Sequence, residues 1–393
     1  MASIKKAAQN KALDTVLANL GKTYGKGFLR KGSDLEIVDT FKTGHDDLDS
    51  VLVKDGFGMA RGKIIELYGP ESGGKSSLAL RVCGYAQKEG YYPMWFDLER
   101  ALVKGGIAEI NGVDMDNIII PELIDTEATE QSDSSSPYDA GTVLDMMEAA
   151  IKSGQFNPVV LDSVAALTPE QEMNAESFNK DHMMLAGRLM SKALRKINAW
   201  AAEKNVCVIF VNQERDKPSL MGATVTTPGG RALKFYASQR IRITKITGGP
   251  GEIKELDEDG RQELIGHWAR VKIVKNRCAP PYNDPIEIPI YYKQHFPDNA
   301  ERLFQLARDL KIISVRKGVF TWKSGEEVVV LVDGTSKVLN KIREDGLESR
   351  LSYECLEAEK SEKNQNKKIP TKVPASLAAL AKDYKEKNDS ISV

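Results

Sequence analysis

The chain has 393 residues and a formal net charge of −1, with 41% apolar and 28% charged residues. These proportions exclude global disorder, and the longest uninterrupted apolar run, the six residues Val206 to Val211, is too short to span a bilayer. Four cysteines (Cys83, Cys207, Cys278, Cys355) lie far apart without a C-x-x-C pair, and four histidines stand singly; neither a disulfide framework nor a zinc site is expected, and a reducing cytosol is. The N-terminal segment has no apolar core of a secretory signal. A near-neutral chain has no global field for a polyanion, so any such binding must be local. Met1 to Lys31 carries seven bases against one acid, and Asp181 to Arg240 ten against four. Pro121 to Asp139 holds six carboxylates and no base.

Along the chain, Ala8, Ala12, Val16 and Leu20 form one helical stripe, predicting a helix over 5–21. It is too small to fold alone and needs a neighbour to pack on. Leu35 to Phe41 reads as a short strand. Strand and helix then alternate: strand 63–68, helix 78–89, strand 92–97, helix 141–153, strand 158–162, helix 183–204, strand 206–212. That alternation predicts a mostly parallel twisted sheet with helices on both faces. Arg240 to Ile246, Ala269 to Lys275 and Ile286 to Tyr292 read as antiparallel extensions. The expected organisation is an N-terminal arm (1–42), an α/β core (43–292), a small α+β C-terminal domain (293–358) and a flexible basic tail (359–393). Within that small domain, 300–310 and 335–342 read as helices and 328–331 as a strand. The tail carries eight lysines against five acids, with a short helix expected at 375–387.

Gly69-Pro70-Glu71-Ser72-Gly73-Gly74-Lys75-Ser76 fits G-x-x-x-x-G-K-[ST] between a strand and a helix. Backbone amides of such a loop face phosphate oxygens, the lysine reaches the β- and γ-phosphates, and the hydroxyl ligates Mg²⁺. Asp162, at the end of an apolar strand, is the expected second support for Mg²⁺. Glu99 lies just past the end of strand 92–97, where ligands sit in open α/β sheets. Spacing alone makes it equally a water-activating base or a surface carboxylate. Gln213 ends strand 206–212 and is equally a γ-phosphate switch or a turn residue.

Taken together, GPESGGKSSLALRV, WFDLERAL, LDSVAALTP, LAGRLMSKALRK, FVNQ, TPGGRALKFYAS and VKIVKNRCAPP follow in the order found in the RecA family of recombinases. The chain resembles that family over about residues 10 to 350. The resemblance implies a RecA-type P-loop ATPase that polymerises on single-stranded DNA with ATP and Mg²⁺ and exchanges strands with a homologous duplex. It also implies that Lys75, Ser76, Ser77, Asp162 and Ser163 hold nucleotide and metal, that Glu99 activates water, and that Gln213 senses the γ-phosphate.

The same resemblance implies two DNA-binding loops, about 170–182 and 214–231. They place Glu172, Met173, Phe178, Arg215, Lys217, Thr227, Gly229, Gly230 and Arg231 at DNA, with Arg188, Ser191 and Arg195 on the long helix beside them. The basic balance of 181–240 agrees independently. Lys275 and Arg277 map to cations delivered to the neighbouring subunit's nucleotide, Phe235 to a subunit contact, and the N-terminal helix to an arm that docks on the next protomer. Single-strand-binding and mediator proteins are candidate further partners, no membrane is expected, and the expected location is the cytoplasm of a bacterium or of a virus-infected one.

Some positions depart from the family pattern. Gly106 stands where an adenine-stacking tyrosine is usual, so another aromatic must supply the stack or the preference for ATP is relaxed. Arg277 replaces a lysine. The basic tail replaces an acidic one, which implies weaker self-restraint on duplex DNA. A nucleotide-switched regulator and a ring-forming helicase are the competing functions on this fold.

Overall fold

The computed structural model describes residues 2–25, 37–125, 136–169, 183–217, 224–256, 262–293, 299–316, 319–324, 327–333, 335–364, 381–382 and 384–385. It divides into two units, Met1–Val38 and Asp39–Val393. The first holds one helix, Ala2–Tyr24, longer than the apolar stripe predicts. Leu13 and Val16 on it are about half exposed, at 51% and 52%.

The second unit is built on an eight-stranded sheet. In chain order its short entry strands are β1 (Thr40–Phe41) and β2 (Met59–Ala60), flanking the helix Asp46–Leu52. There follow β3 (Ile64–Gly69), helix Lys75–Lys88, β4 (Tyr92–Asp97), the one-turn helix Ile107–Ile110, and the small pair β5 (Ile124–Asp125) and β6 (Ser136–Pro137). Helix Ala140–Ser153, β7 (Phe156–Asp162), helix Met183–Lys204 and β8 (Val208–Gln213) complete the repeating part. The hairpin β9 (Arg215–Lys217) and β10 (Thr224–Thr226) leads to helix Gly230–Tyr236. After it come β11 (Gln239–Lys245), β12 (Glu252–Leu256), β13 (Gln262–Asn276) and β14 (Ile286–Tyr291).

The order β12-β13-β11-β3-β8-β7-β4, with β14 also on β13, puts β3 and β8 at the centre. The pairs from β11 through β4 are parallel, and those made by β13 are antiparallel. The expectation of an antiparallel β11 is therefore half right. It runs parallel to β3 on one edge and antiparallel to β13 on the other, so it is the hinge between the two regimes. Apart from Glu66, the central strands read as apolar runs because both faces are covered: every residue of β3 is buried, and β8 is buried up to Asn212. One face packs Phe96, Val159, Leu161 and Phe210 against Leu144, Met147, Leu194 and Leu233 of the flanking helices. Each such side chain contributes about 1.5–3 kcal/mol on leaving water.

A separate core lies in the C-terminal segment. Helix Asn299–Asp309, the meander β15 (Ile313–Arg316), β16 (Val319–Ser324) and β17 (Glu327–Asp333), and helices Thr335–Glu344 and Glu348–Asn364 enclose Phe304, Trp322, Val338 and Leu351. The last helix runs into the segment read as tail, to Asn364. Of the expected tail helix, Ala381, Lys382, Tyr384 and Lys385 are described and helical, and Ala381 is 3% exposed. The acidic stretch 126–135 lies outside the described residues.

Candidate nucleotide site and nucleic-acid interface

Parallel pairing brings the strand ends to one level. Gly69 stands opposite Gln213, and Asp97 opposite Asp162. Residues far apart in sequence thus meet at the C-terminal rim of β3, β4, β7 and β8. The glycine loop crosses this rim. Gly74 caps the Lys75–Lys88 helix with φ of +96°, and a Cβ there would meet Ile290 at 2.7 Å, so only glycine fits. The first amides of that helix have no intrahelical acceptor, which leaves donors and the positive end of the helix facing the loop.

Lys75 is 7% exposed and donates through Nζ to the Pro70 carbonyl at 2.6 Å. Burial lowers its pKa, and the nearby carboxylates of Asp162 and Glu99 oppose that fall. Asp162 is 5% exposed and bonded by the Ser76 hydroxyl. Burial lifts its carboxyl to about 6, with Glu99 and Asp97 adding repulsion. Glu99 Oε1 accepts from Ser163 Oγ at 2.5 Å and from Gln213 Nε2 at 3.2 Å. Asp97 instead ties down the following turn, accepting from the amides of Ala101 and Leu102. Four carboxylates act on the one buried lysine, Glu71 and Glu214 besides Asp162 and Glu99, and call for added positive charge. No cluster of three or more His, Cys, Asp or Glu that could hold a metal exists among the described residues. The pair Ser76 and Asp162 suits Mg²⁺, which takes few protein ligands and completes its shell with phosphate and water.

The structure therefore gathers the loop, Lys75, Ser76, Ser77, Glu99, Asp162, Ser163 and Gln213. It does not gather Lys275 and Arg277 with them. Arg240 pairs with both Lys275 and Glu66, three residues before Gly69, so Lys275 lies about 10 Å down the sheet from the rim. Lys275 Nζ donates to the carbonyls of Lys234 and Phe235 at 2.8 and 2.9 Å, closing the end of the Gly230–Tyr236 helix. Phe235 on that helix is 66% exposed, and Arg277 is exposed too.

Of the expected DNA contacts, Glu172, Met173 and Phe178 lie outside the described residues. Arg188, Ser191 and Arg195 recur at one-turn spacing and, with Gly187 and Lys192, line a shallow groove of about 440 Å³. Gly230 adjoins it, since a Cβ there would lie 3.5 Å from Gly187 Cα. Arg215 and Arg231 are exposed, Arg215 paired with Thr226 across the hairpin and Lys217 with Thr224. Thr227 is buried with its hydroxyl unpaired, so it faces the interior. Gly229 holds the helix cap with φ of +83°.

Several residues at and below this rim escape a reading by motif. Glu66 is fully buried on β3, held by Arg240 at 2.5 Å and by Asn212 Nδ2 at 3.0 Å. Asn212 also donates to the Pro228 carbonyl at 3.1 Å and accepts from the Gln213 amide. Arg242 grips Glu214 with two bonds, at 2.6 and 2.9 Å. Gly106 has no room for a side chain, because a Cβ would lie 2.8 Å from both the Val103 carbonyl and Cγ2. A charged residue in a buried strand was the one available signal for Glu66.

Comparison with known proteins bears on the whole arrangement. The profile of the RecA N-terminal domain matches residues 11–296. The chain belongs to the RecA family. It is 35% identical to Protein RecA of Staphylococcus carnosus (strain TM300) over 339 residues, covering 86% of each chain. It is 37% identical to Protein RecA of Staphylococcus aureus (strain JH9) over 323 residues, or 81% of this chain and 84% of that one. Membership makes the chain a nucleotide-binding, DNA-dependent ATPase of the recombinases, with homologous strand exchange as the family activity, and sets aside the regulator and the helicase. RecA family proteins bind DNA and assemble with themselves. Among the described residues, no helix is long and apolar enough to cross a membrane.

Proposed function

We propose that the rim of the parallel strands is the site of ATP hydrolysis that drives a recombination filament. One observation carries this reading: Lys75, Asp162, Glu99 and Gln213 converge there from four strand ends. The glycine loop and the helix N-terminus take the phosphates, with Lys75 at the β- and γ-oxygens. Mg²⁺, held by Ser76 and Asp162, would neutralise phosphate charge. Glu99 orients a water molecule in line with the γ-phosphorus and accepts its proton as the bond to the bridging oxygen breaks. Gln213 joins Glu99 to the β9–β10 hairpin, so loss of the γ-phosphate is passed to the DNA-facing segment.

The groove of Arg188, Ser191 and Arg195, with Arg215, Lys217, Gly229, Gly230 and Arg231, takes the phosphates of single-stranded DNA and then of the homologous duplex. Lys275 and Arg277 serve the nucleotide of an adjacent protomer, with Phe235 and the N-terminal helix at that contact. Their distance from their own loop supports delivery in trans. The setting we infer is the bacterial cytoplasm, the protein being encoded by the host or by an infecting virus, and single-strand-binding and mediator proteins are the partners to seek. Hydrolysis measured with and without single-stranded DNA, at low and moderate salt, tests the reading. Stimulation that fades with salt is expected; hydrolysis indifferent to DNA would refute the coupling.

A further inference from the structure

β11 carries two arginines on one face, Arg240 and Arg242, separated by the buried Ile241. Each grips a carboxylate. Arg240 holds Glu66 on the adjacent strand β3. Arg242 reaches farther. Its own ladder partner is Tyr68 of β3, and Tyr68 is paired in turn with Asn212 of β8, so the chain leaving β8 lies two strands away, about 10 Å. There Arg242 Nε and Nη2 donate to the two carboxylate oxygens of Glu214 at 2.6 and 2.9 Å. The bridge spans β3 where the glycine loop begins.

Glu214 is the one residue between Gln213, which touches Glu99, and Arg215, the first residue of the β9–β10 hairpin. Its amide donates to the Gly69 carbonyl at 3.1 Å. Its side chain is only 8% exposed, so main chain and side chain are both fixed. An exposed ion pair would contribute little, but two parallel bonds onto a buried carboxylate set direction as well as distance. The Glu214 charge also acts on the buried Lys75. A carboxylate released from Arg242 therefore has a second cation to turn to, and the joint would turn with it. Energetic coupling between two sites is carried by packed and hydrogen-bonded elements, and here every such path from hairpin to sensor along the chain passes through this joint.

We propose that Arg242 is a positioning residue for the DNA-coupled reaction. By holding Glu214 it fixes the joint between Gln213 and the hairpin, so that single-stranded DNA at the hairpin acts on Gln213 and, through it, on Glu99. The proposal rests on the roles given above to Glu99, Gln213 and the hairpin.

Steady-state ATP hydrolysis by the full chain, with Mg²⁺ and increasing thymidine oligonucleotide, tests it beside calorimetric titration with ADP. In Arg242→Met, turnover without DNA and ADP affinity should stay within about twofold of the parent protein, while stimulation at saturating DNA falls about fivefold or more, the lower end of site-to-site coupling. Arg242→Lys keeps the charge without the fork and should lose about half of the stimulation; it decides the matter should the methionine variant not fold. The double change Glu214→Gln with Arg242→Met should be no worse than Arg242→Met alone, since the two act as one unit. Unchanged maximal stimulation in Arg242→Met overturns the proposal, as does a matching fall in DNA-free turnover, which marks a merely structural role. Weaker DNA affinity with full stimulation at saturation, or full stimulation in Arg242→Lys, would assign the effect to charge and also overturn it. A parent protein indifferent to DNA removes the coupling itself and this role with it; a stimulated parent beside an equally stimulated Arg242→Met removes this role alone.

Discussion

Glu99 makes two hydrogen bonds, one from a serine on the Asp162 strand end and one from Gln213. Glu99→Gln keeps the shape and one acceptor but removes the proposed base. Nucleotide affinity should stay within about twofold while hydrolysis falls by about 10²–10⁴, the range for loss of a general base; single-turnover kinetics beside calorimetry will show the split. Asp49 offers a test at a residue remote from the chemistry. It is fully buried, accepts from the Thr43 amide, and burial lifts its carboxyl from 3.8 to about 6. A raised acid binds its proton more tightly when folded, so this contribution favours the folded state at low pH and is lost as pH rises from about 4 to about 6. In Asp49→Asn, chemical unfolding followed across that interval should show a smaller loss of stability with pH than in the parent protein.

Between strands, the buried set of Glu66, Arg240 and Asn212 ties β3 to β11 and β8, and through Pro228 to the segment entering the Gly230–Tyr236 helix. Arg240 also lies over the Tyr68 ring at 4.6 Å. Arg240→Met strands a carboxylate in the core and should cost about 3–5 kcal/mol, whereas the double change Glu66→Leu with Arg240→Met should recover most of that loss. Urea unfolding midpoints of the single and double variants decide it. This network also marks the limit of what the sequence made legible. The parallel strands were readable because double-sided burial leaves mostly apolar runs, and the rim followed because β4, β7 and β8 end in Asp97, Asp162 and Gln213 while β3 ends in the glycine loop. β15 and β16 were not, since four- to six-residue strands with one exposed face carry too little pattern. The contact of His267 with Tyr292 stayed hidden because only the pairing of β13 with β14 brings the two side by side.

At the scale of the whole chain, the C-terminal segment has a core of its own, with Trp322 fully buried and its Nε1 bonded to Glu354 at 2.7 Å. Trp322→Ala should cost that core about 3–5 kcal/mol. Nucleotide affinity should be untouched, because no residue of the rim belongs to that cluster; differential scanning calorimetry with and without ADP will separate an early transition from a ligand-shifted one. The two halves of the proposed trans site impose a different kind of consequence. A protomer that keeps its acceptor at one end of the sheet and its donated cations about 10 Å away makes a head-to-tail contact, which runs on as an open polymer unless its rotation closes. In an open chain the protomer at one tip is never served. Turnover per protomer should then climb with polymer length and level off once tips become rare, and the unserved tip would keep its ATP longest, giving the polymer one slow end and one fast end.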